Sequence, residues 1–423
     1  MLSTLRNAWK VPELRKRFLW TIFLVAIFRI GIHIPVPGID TSALSTLTES
    51  GGLLSFYNLI SGGAFTKASI LALSVSPYIN ASIIMQLLTI AIPSLEQLSK
   101  EGEEGRKKIQ SITRYVSIGI ACVLALGVYS TIANLGATSG VGTLEKIVVI
   151  FSLVVGSTFC MWLGDQITQK GFGNGVSILI FVNIVSQIPS TVNSVYTLKT
   201  AGEISIIEIL LFLVGVIALL AVTIFFSLAE RRVPIQYAGK AVGSKVMKGQ
   251  STHIPLSIIG YAVIAIIFAM SVMMFPTTIA AFFPSKGWAS WITSSKYSIF
   301  NTGTWMYPVC YAVLTVFFTW FYTQITFKPD EMAENLHKSA GFVPGIRPGE
   351  ATEKYFEKLL TKVSIIGGLF AAFLAVTPIL VGKYISGVQF GGTSLLILIG
   401  VALDFSRQLD SQLVMRHYDG FLK

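Results

Sequence analysis

Ten apolar blocks follow one another along the chain, separated by short polar segments. They lie near residues 18–34, 53–92, 116–135, 147–163, 176–188, 205–229, 254–283, 305–327, 363–381 and 393–406. Several approach or exceed the roughly 20 apolar residues that a helix needs to cross a bilayer core of about 30 Å. The pattern therefore predicts an all-α integral membrane protein with ten crossings.

The loops between the blocks alternate between strongly basic and nearly uncharged. Of the 32 Lys and Arg residues, 25 lie in the two termini and every second loop, six lie in the intervening loops, and Arg29 lies inside the first block. Positively charged loops remain on the cytoplasmic side of a membrane. The alternation predicts that both termini are cytoplasmic, and Arg29 then lies near the outer end of its block, where its side chain can snorkel to the interface.

The second block is too long for one crossing and is interrupted at Ser61-Gly62-Gly63 and at Lys67. We expect a short half-helix at about 54–66, which enters the membrane and stops, followed by a full span at about 72–92. Irregular backbone at membrane depth is tolerated only where protein or a water-filled cavity surrounds it. This segment is therefore predicted to line or close an internal cavity.

Three other blocks are also irregular. The fifth, Val176–Ile188, is short and follows a glycine-rich segment, the tenth follows Gly391-Gly392, and the seventh is overlong and contains Gly260 and Pro276. Blocks two, five, seven and ten occupy matching positions if the chain consists of two inverted five-helix halves, 1–200 and 201–423, joined by a loop at 189–204. Interrupted helices at matching positions of inverted repeats indicate a transport pathway; coincidental matching is the alternative.

Composition narrows the function further. Apolar residues make up 53% of the chain and charged residues only 13%, and the basic residues behind the net charge of +11 are dispersed over several loops. Basic residues dispersed over several loops usually set the membrane topology and attract anionic lipids. Sequence-specific nucleic-acid binding is therefore not expected. The three cysteines lie within apolar blocks, and no motif indicates a disulfide framework, a metal, a cofactor, an enzyme active site or a cleaved signal peptide.

Polar residues within the spans concentrate in the second block. Ser76 and Asn80 share one helix face, and Ser74, Ser82 and Gln86 lie nearby. As a set they indicate a helix that meets water or a movable partner, although small polar residues also join helices to one another. A mid-span Asp or Glu, which an ion-coupled carrier usually has, does not occur in any block.

Several motifs, in order along the chain, resemble those of the bacterial SecY family, whose members are channel subunits of the Sec protein translocase. They are Pro77–Leu88, Glu101–Lys108, Gly173–Ile178, Gln250–Leu256, Gly341–Gly349 and Gly391–Ile397. The resemblance implies a clamshell of two inverted halves around a pore. It also implies that the protein passes unfolded polypeptides across the bacterial cytoplasmic membrane and releases signal sequences and transmembrane segments sideways into lipid.

The resemblance also implies roles for individual residues. The narrow pore ring would consist of Val75, Ile79, Val176, Ile180, Ile267 and Ile397. A plug at about 54–66 would include Phe56, Asn58, Ile60, Gly62 and Gly63. The lateral gate, through which a segment reaches the lipid, would include Asn80, Ile84, Ser271 and Phe275.

The expected partners are SecE, SecG, the motor ATPase SecA, the ribosome with its nascent chain, signal peptides and anionic lipids. The cytoplasmic loops at about 230–253 and 328–360 would dock SecA or the ribosome through basic residues, namely Arg347, Arg231, Arg232, Lys240, Lys245 and Lys248. For all of these except Arg347, lipid attraction or topology is the favoured alternative.

One departure from the family pattern leaves the exact role of this protein open. Where family members usually carry Lys, Asn and then Gly-Val-Ile-Pro, this chain has Ser257, Ile259 and Ala262–Ala265, which favours a straighter and less polar seventh helix. An accessory SecY dedicated to a subset of substrates is therefore one alternative. A small-solute transporter with inverted repeats and a non-transporting membrane scaffold are the others.

Overall fold

The computed structural model describes most of the chain. The described residues are 9, 11–39, 58, 61–134, 142–202, 205–237, 241–242, 245–246, 251–260, 262–283, 286–301, 303–384 and 392–419. Within these ranges, each of the ten predicted apolar blocks overlaps a helix of at least 16 residues. The chain packs into two compact units: residues 1–200, 274–302 and 400–423 form the first, and residues 201–273 and 303–399 form the second. The first unit ends its longest segment at residue 200, which is the predicted boundary between the halves. Residues 274–302 and 400–423 also belong to the first unit, so the two inverted halves remain a prediction.

The first unit consists of helices. They are α1 (Pro12–Gly31), α2 (Ser76–Ala91), α3 (Pro93–Lys100), α4 (Glu103–Asn134), α5 (Thr143–Lys170), α6 (Gly175–Thr200), α9 (Gly287–Ser294) and the later part of α13 (Gly392–Asp419). Helix α8 (Ala262–Phe282) begins in the second unit and ends in the first. A core cluster lies where α4 and α5 pack against residues 64–75, which precede α2.

The second unit combines helices with a small sheet. It contains α7 (Ile206–Leu228), α10 (Met306–Phe327), α11 (Pro329–Lys338), α12 (Glu350–Tyr384) and the strands β1 (Glu230–Tyr237), β2 (Ala241–Val242), β3 (Lys245–Val246), β4 (Ser251–Ser257) and β5 (Gly341–Phe342). The main sheet has the order β4-β1-β5, antiparallel throughout. Val233 and Ile235, on the inward face of β1, pack against Phe356 and Leu360 of α12. Because successive side chains of a strand point to opposite faces, the exposed side chains of β1 face away from α12.

Six of the described helices are long and apolar enough to cross a membrane, and a seventh span results if α2 and α3, bent by 100° at Ile92, count as one. Most of α7 faces outward, and Ile207 and Phe225 are exposed. The exposure of its apolar side chains is consistent with a helix surrounded by lipid.

The second block differs from its prediction. Helix α2 begins at Ser76 rather than near residue 72, and residues 61–75 form consecutive turns. The predicted half-helix at 54–66 is therefore wrong for residues 61–66, while most of residues 54–60 lie outside the described residues. The left-handed backbone at Gly62, Gly63, Ala68 and Ser74 is the local reason, because such residues interrupt a right-handed helix.

Two further boundaries were predicted wrongly. The expected loop at 189–204 is helical up to Thr200, since α6 continues through Pro189. The start of the seventh block, residues 254–257, is strand β4 paired with β1, so α8 is 21 residues long and contains Pro276.

An ion pair joins α4 to α5 within the first unit. Arg114 Nη2 lies 2.8 Å from Asp165 Oδ2, and the Asp165 side chain is only 13% exposed. Gln110 Nε2 donates to the other carboxylate oxygen at 3.4 Å. The pair satisfies two charges that the helices could not otherwise bury at this depth.

Replacing Asp165 by Ala should destabilise the protein by about 2 kcal/mol, because the half-buried Arg114 guanidinium loses its counterion; full burial would cost roughly 3–5 kcal/mol. Thermal unfolding of the detergent-purified protein, followed by tryptophan fluorescence, measures the effect. Replacing Glu103 by Ala, which breaks an exposed pair with Lys107, is the matched control and should change little. Equal shifts for both variants would contradict a structural role for the inner pair.

Candidate functional site

Residues 61–75, here called the turn segment, lie against the end of α1. The Ser69 hydroxyl donates to the Gly31 carbonyl at 3.0 Å. The Val36 amide donates to the Ala68 carbonyl at 2.7 Å, and the Ile70 amide donates to the Ile34 carbonyl at 3.0 Å. These bonds pair backbone groups that a helix would have satisfied internally.

Most of the turn segment is fixed by apolar packing. Phe65, Ala72 and Leu73 are buried in the core cluster with Leu124 of α4 and Leu153 of α5. Helix α5 approaches so closely that a Cβ at Gly156 would overlap the Ile70 carbonyl. Residues 64–75 are therefore part of the core of the first unit.

Asn58, which precedes the turn segment, is held differently, by polar contacts. The Asn58 carbonyl accepts a 2.6 Å hydrogen bond from Gln187 Nε2 of α6 and one of 2.9 Å from the Gly63 amide. The Asn58 Oδ1 atom accepts from the Thr66 amide at 3.1 Å. Of the predicted plug residues, Asn58, Gly62 and Gly63 thus lie together, whereas Phe56 and Ile60 lie outside the described residues.

Gly62 lies against two polar side chains. A Cβ there would be 2.5 Å from Asn183 Oδ1 of α6 and 2.9 Å from Arg29 Nη1 of α1. Asn183 is fully buried and donates from Nδ2 to the Ser74 hydroxyl at 3.4 Å. We call Arg29 and Asn183, which lie against Gly62, together with Gln187, which bonds to Asn58, the polar seat.

Sequence reasoning did not predict the polar seat. It assigned Arg29 to the membrane interface, yet Nη1 of that residue is buried and has no hydrogen-bond partner among the described residues. Asn183 and Gln187 were not selected, although two amides spaced i, i+4 in an apolar block share one helix face. The i, i+4 spacing of these two amides was the sequence signal from which the polar seat could have been predicted.

The first turn of α6 is fixed by caps and by a close helix contact. Asn174 Oδ1 accepts from the Ser177 amide at 3.2 Å, which is an N-cap, and Thr168 Oγ1 accepts from the Gly175 amide at 2.9 Å. A Cβ at Gly164 of α5 would lie 3.1 Å from Val176. These contacts orient the start of α6, whose first two turns carry the predicted ring residues Val176 and Ile180.

An aromatic cluster anchors the loop before α6. Phe172 is buried and stacks on Phe18 of α1 at 5.0 Å, with Phe405 edge-on at 4.8 Å. The Thr21 hydroxyl accepts from the Phe172 amide at 3.0 Å. Phe172, directly before the glycine-rich motif, thus joins α1 and α13 at the start of α6.

The predicted ring residues are apolar and mostly shielded from water. In the first unit, Val75 and Ile180 are buried and Ile79 and Val176 are half-buried; the hydrogen bond between Ser74 and Asn183 lies one residue from Val75 and three from Ile180. The second unit contributes Ile267, which is half-buried, and Ile397, which is buried. That the six residues form one ring remains a prediction.

The predicted gate residues include two exposed apolar side chains. Ile84 of α2 is 41% exposed and Phe275 of α8 is 64% exposed. Asn80 and Ser271 are half-buried, and the Ser271 hydroxyl donates to the Ile267 carbonyl one turn earlier at 2.9 Å. Their assignment to a lateral gate remains a prediction.

Four of the six predicted docking residues lie among the described residues. Arg231 and Arg232 are exposed on β1, and Lys245 lies in β3, whereas Lys240 and Lys248 lie outside the described residues. Arg347 is exposed at a loop tip between Gly345 and Gly349, both with positive φ. No group of His, Cys, Asp or Glu able to hold a metal ion occurs in the described part of the chain.

Known proteins resemble this chain over nearly its whole length. The SecY family model matches residues 69–406. The protein translocase subunit SecY of Rickettsia typhi is 40% identical over 420 residues, covering 97% of this chain and 96% of the relative. The same subunit of Escherichia coli K12 is 40% identical over 97% of this chain and 94% of its own length.

Solved channel structures share the fold. A SecY structure described as having a plug domain that stabilises the closed channel and maintains a membrane seal has a TM-score of 0.64 and 16% identity, with 97% of both chains covered. Sec61 from a canine ribosome–channel complex of the endoplasmic reticulum has a TM-score of 0.61 and 18% identity, again with 97% of both chains covered. The predicted all-α membrane fold is confirmed.

Proposed function

The chain belongs to the SecY family, and from this premise we propose that it is the protein-conducting channel subunit of a Sec translocase. In this role it passes unfolded polypeptides across the membrane and releases signal sequences and transmembrane segments into lipid. The observation that most strongly supports this function is the turn segment, which is non-helical backbone buried between apolar helices. At membrane depth, such backbone is tolerated only where protein or a water-filled cavity surrounds it.

A ring of branched aliphatic side chains suits passage of any sequence. Such side chains form no hydrogen bonds with a moving chain, and a narrow apolar constriction excludes water and ions when it closes. Val75, Ile79, Val176, Ile180, Ile267 and Ile397 are all of this type. The ring therefore acts as a gasket, and residues 54–66 act as the plug that covers it at rest.

Sideways release requires only that a segment of the passing chain partitions between the aqueous pore and the surrounding lipid. Leu contributes about −0.5 kcal/mol and a central Lys about +3 kcal/mol to membrane insertion. An apolar segment at the gate residues Asn80, Ile84, Ser271 and Phe275 therefore moves into lipid, and polar chain stays in the pore. Because partition does the sorting, the channel needs no catalytic group, and we propose that the chain is not an enzyme.

The proposed setting is the bacterial cytoplasmic membrane with both termini inside. SecE and SecG complete the complex, SecA or a ribosome with its nascent chain drives it, and signal peptides and anionic lipids bind it. A ribosome partner is supported by the similar fold of Sec61 in a ribosome–channel complex. The altered residues Ser257, Ile259 and Ala262–Ala265 favour, as a second candidate, an accessory channel for selected substrates.

Disulfide crosslinking of a trapped precursor tests the proposal. Cysteine replaces Ile79 or Ile267 in a variant without Cys122, Cys160 and Cys310, and a secretory precursor with one cysteine is stopped halfway in inverted membrane vesicles. Crosslinks should form at both positions and require SecA and ATP, because the chain passes the ring. Cysteine at Ile207, an exposed position on α7, is the matched control and should not crosslink.

Two results would contradict parts of the proposal. If the precursor is exported without meeting Ile79 or Ile267, the ring assignment is wrong. If general precursors are not exported but selected ones are, the accessory role replaces the general one.

A further inference from the structure

A short turn leads from the end of α8 into α9, a helix that exposes two tryptophans. We propose that Phe283, Trp288 and Trp291 form an interfacial anchor, which lies in the headgroup layer of one phospholipid leaflet and holds the end of α8 there. The inference goes beyond the proposed channel function and does not depend on it, because it requires only that α8 crosses a membrane.

The interfacial anchor exposes three large aromatic side chains. Phe283 is 50% exposed, Trp288 45% and Trp291 54%, and the rings of Phe283 and Trp288 lie 5.8 Å apart. Leaving half of each ring in water forgoes on the order of 1 kcal/mol of burial energy per side chain. Tryptophan is enriched at membrane–water interfaces, where its apolar ring is covered and its N–H group stays hydrated. A lipid headgroup layer therefore suits this surface better than water does.

Helix α9 has three distinct sides. Trp288 and Trp291 share one of them by their i, i+3 spacing, and Ala289, which is 1% exposed, lies on the second. Ser290 and Ser294 share the third side, which is exposed and polar. A helix at a lipid boundary turns one apolar side toward the acyl chains and one polar side toward water. The exposed surface of α9 is divided in this way.

The backbone at the end of α9 is satisfied by protein groups. The Ser298 hydroxyl donates to the Ile292 carbonyl at 2.8 Å, and Asn301 Nδ2 donates to the Ser295 carbonyl at 3.3 Å. The last carbonyls of a helix otherwise depend on water. Because these two are paired within the chain, the end of α9 can lie where water is scarce.

The exposed apolar side of α8 leads into the interfacial anchor. Phe275 is 64% exposed and Ile279 37% exposed, and Phe283 follows at the same spacing of four residues, which places side chains along one side of a helix. The Phe283 amide donates to the Ala280 carbonyl at 3.0 Å, and the Lys286 amide donates to the Phe283 carbonyl at 3.0 Å. The surface that a bilayer would cover on α8 thus continues to the start of α9.

The charges around α9 favour phospholipid as the occupant. Between residues 249 and 327, Lys286 and Lys296 are the only Lys, Arg, Asp or Glu residues, and both are exposed. One precedes α9 and the other follows it, so that each ammonium group can reach lipid phosphates while the tryptophans lie deeper. Basic residues beside a membrane surface attract anionic headgroups, and this stretch contains no acidic residue to oppose them.

Fluorescence quenching of a dye attached to cysteine tests the contact with lipid. Single cysteines replace Trp291, Ser290 or Ile217 in a variant without its native cysteines, and the complete complex is placed in nanodiscs that contain phosphatidylglycerol. Nitroxide lipids quench either from the headgroup layer or from the ends of the acyl chains, and iodide quenches from water. Ile217, which is 57% exposed at the centre of α7, is the control for the bilayer core.

We expect the headgroup nitroxide to quench the dye at Trp291→Cys about threefold more strongly than at Ser290→Cys, and iodide to show the reverse order. At Ile217→Cys, the chain-end nitroxide should be the stronger of the two lipid quenchers. Equal lipid quenching of Trp291→Cys and Ser290→Cys overturns the proposal. Protection of Trp291→Cys from every quencher also overturns it, because protein rather than lipid would then cover this face.

A spin label at Ile279→Cys tests whether the interfacial anchor holds α8. The label should move about twofold faster in Trp288→Ser/Trp291→Ser, because interfacial aromatic residues fix the tilt and rotation of a membrane helix. Ser290→Ala/Ser294→Ala is the matched control and should leave the mobility unchanged. Equal mobility in both double variants contradicts the holding of α8. Neither measurement involves a passing polypeptide, so a negative result here leaves the channel proposal standing, and failure of the precursor crosslinks leaves the interfacial anchor standing.

Discussion

Replacing Arg347 by Glu will reduce SecA-driven export at least about a hundredfold, because a like charge placed in a charged interface costs several kcal/mol. Export of a secretory precursor into inverted vesicles, with SecA and ATP, measures the loss. The expected effect is large because the loop presents this one guanidinium in a fixed position.

The structure explains why the position is fixed. The Thr352 hydroxyl donates to the Arg347 carbonyl at 2.8 Å, and the Ile346 amide donates to the carbonyl of buried Val343 at 3.1 Å. The Arg347 side chain itself is exposed and forms no ion pair with any described residue. Its charge is therefore available to a partner.

Arg347→Lys and Arg231→Glu are the controls. Lysine keeps the charge but not the two-pronged donor geometry of arginine, so it should retain partial export, and Arg231→Glu on β1 should have a smaller effect. Because the side chain is exposed, thermal unfolding of Arg347→Glu should match that of the parent protein. Normal SecA-driven export by Arg347→Glu would remove this residue from the docking surface.

Deleting residues 54–60 will raise the resting ion leak on the order of a hundredfold, as a closed channel that is open about 1% of the time becomes mainly open. Each charge that leaks dissipates about 2.3 kcal/mol per 100 mV of membrane potential. Export itself should largely continue, because the deletion leaves all six predicted ring residues in place. Single-channel recording of the purified complex, beside an export assay, tests both statements.

The end point of the deletion matters. Extending it to residue 66 also removes Phe65, which is 2% exposed in the core cluster, and loss of a buried Phe side chain costs roughly 3–5 kcal/mol. The longer deletion should therefore lower the yield of folded protein, and the shorter one should not. An unchanged leak in the shorter deletion would contradict the plug assignment.

The long helices were predictable because their apolar blocks carry the signal locally. Block length and loop charge were enough for α4, α5, α7, α10 and α12, each of which overlaps its predicted block. Their length follows from burial in a bilayer rather than from any particular contact. The fold class therefore required no knowledge of tertiary structure.

The turn segment was not predictable in the same way. The composition of residues 70–75 is almost as apolar as that of a membrane-spanning helix. Their turns depend on hydrogen bonds that Ser69 and Ile70 donate to carbonyls at and just after the end of α1, which is distant in sequence. The continuation of α6 through Pro189 likewise depends on tertiary context, which overrides local propensity. The polar seat joins α1, residue 58 and α6, and long-range partners of this kind are invisible in a local pattern.

The outward face of α7 has a consequence for biogenesis. Its apolar side chains make few contacts with the rest of the described chain, and Ser205 and Glu208 cap its start. A helix of this kind is stable in lipid before any neighbour exists, as in two-stage assembly. The order in which helices become stable during synthesis can therefore differ from their order in the chain, with α7 providing an early foundation for the second unit.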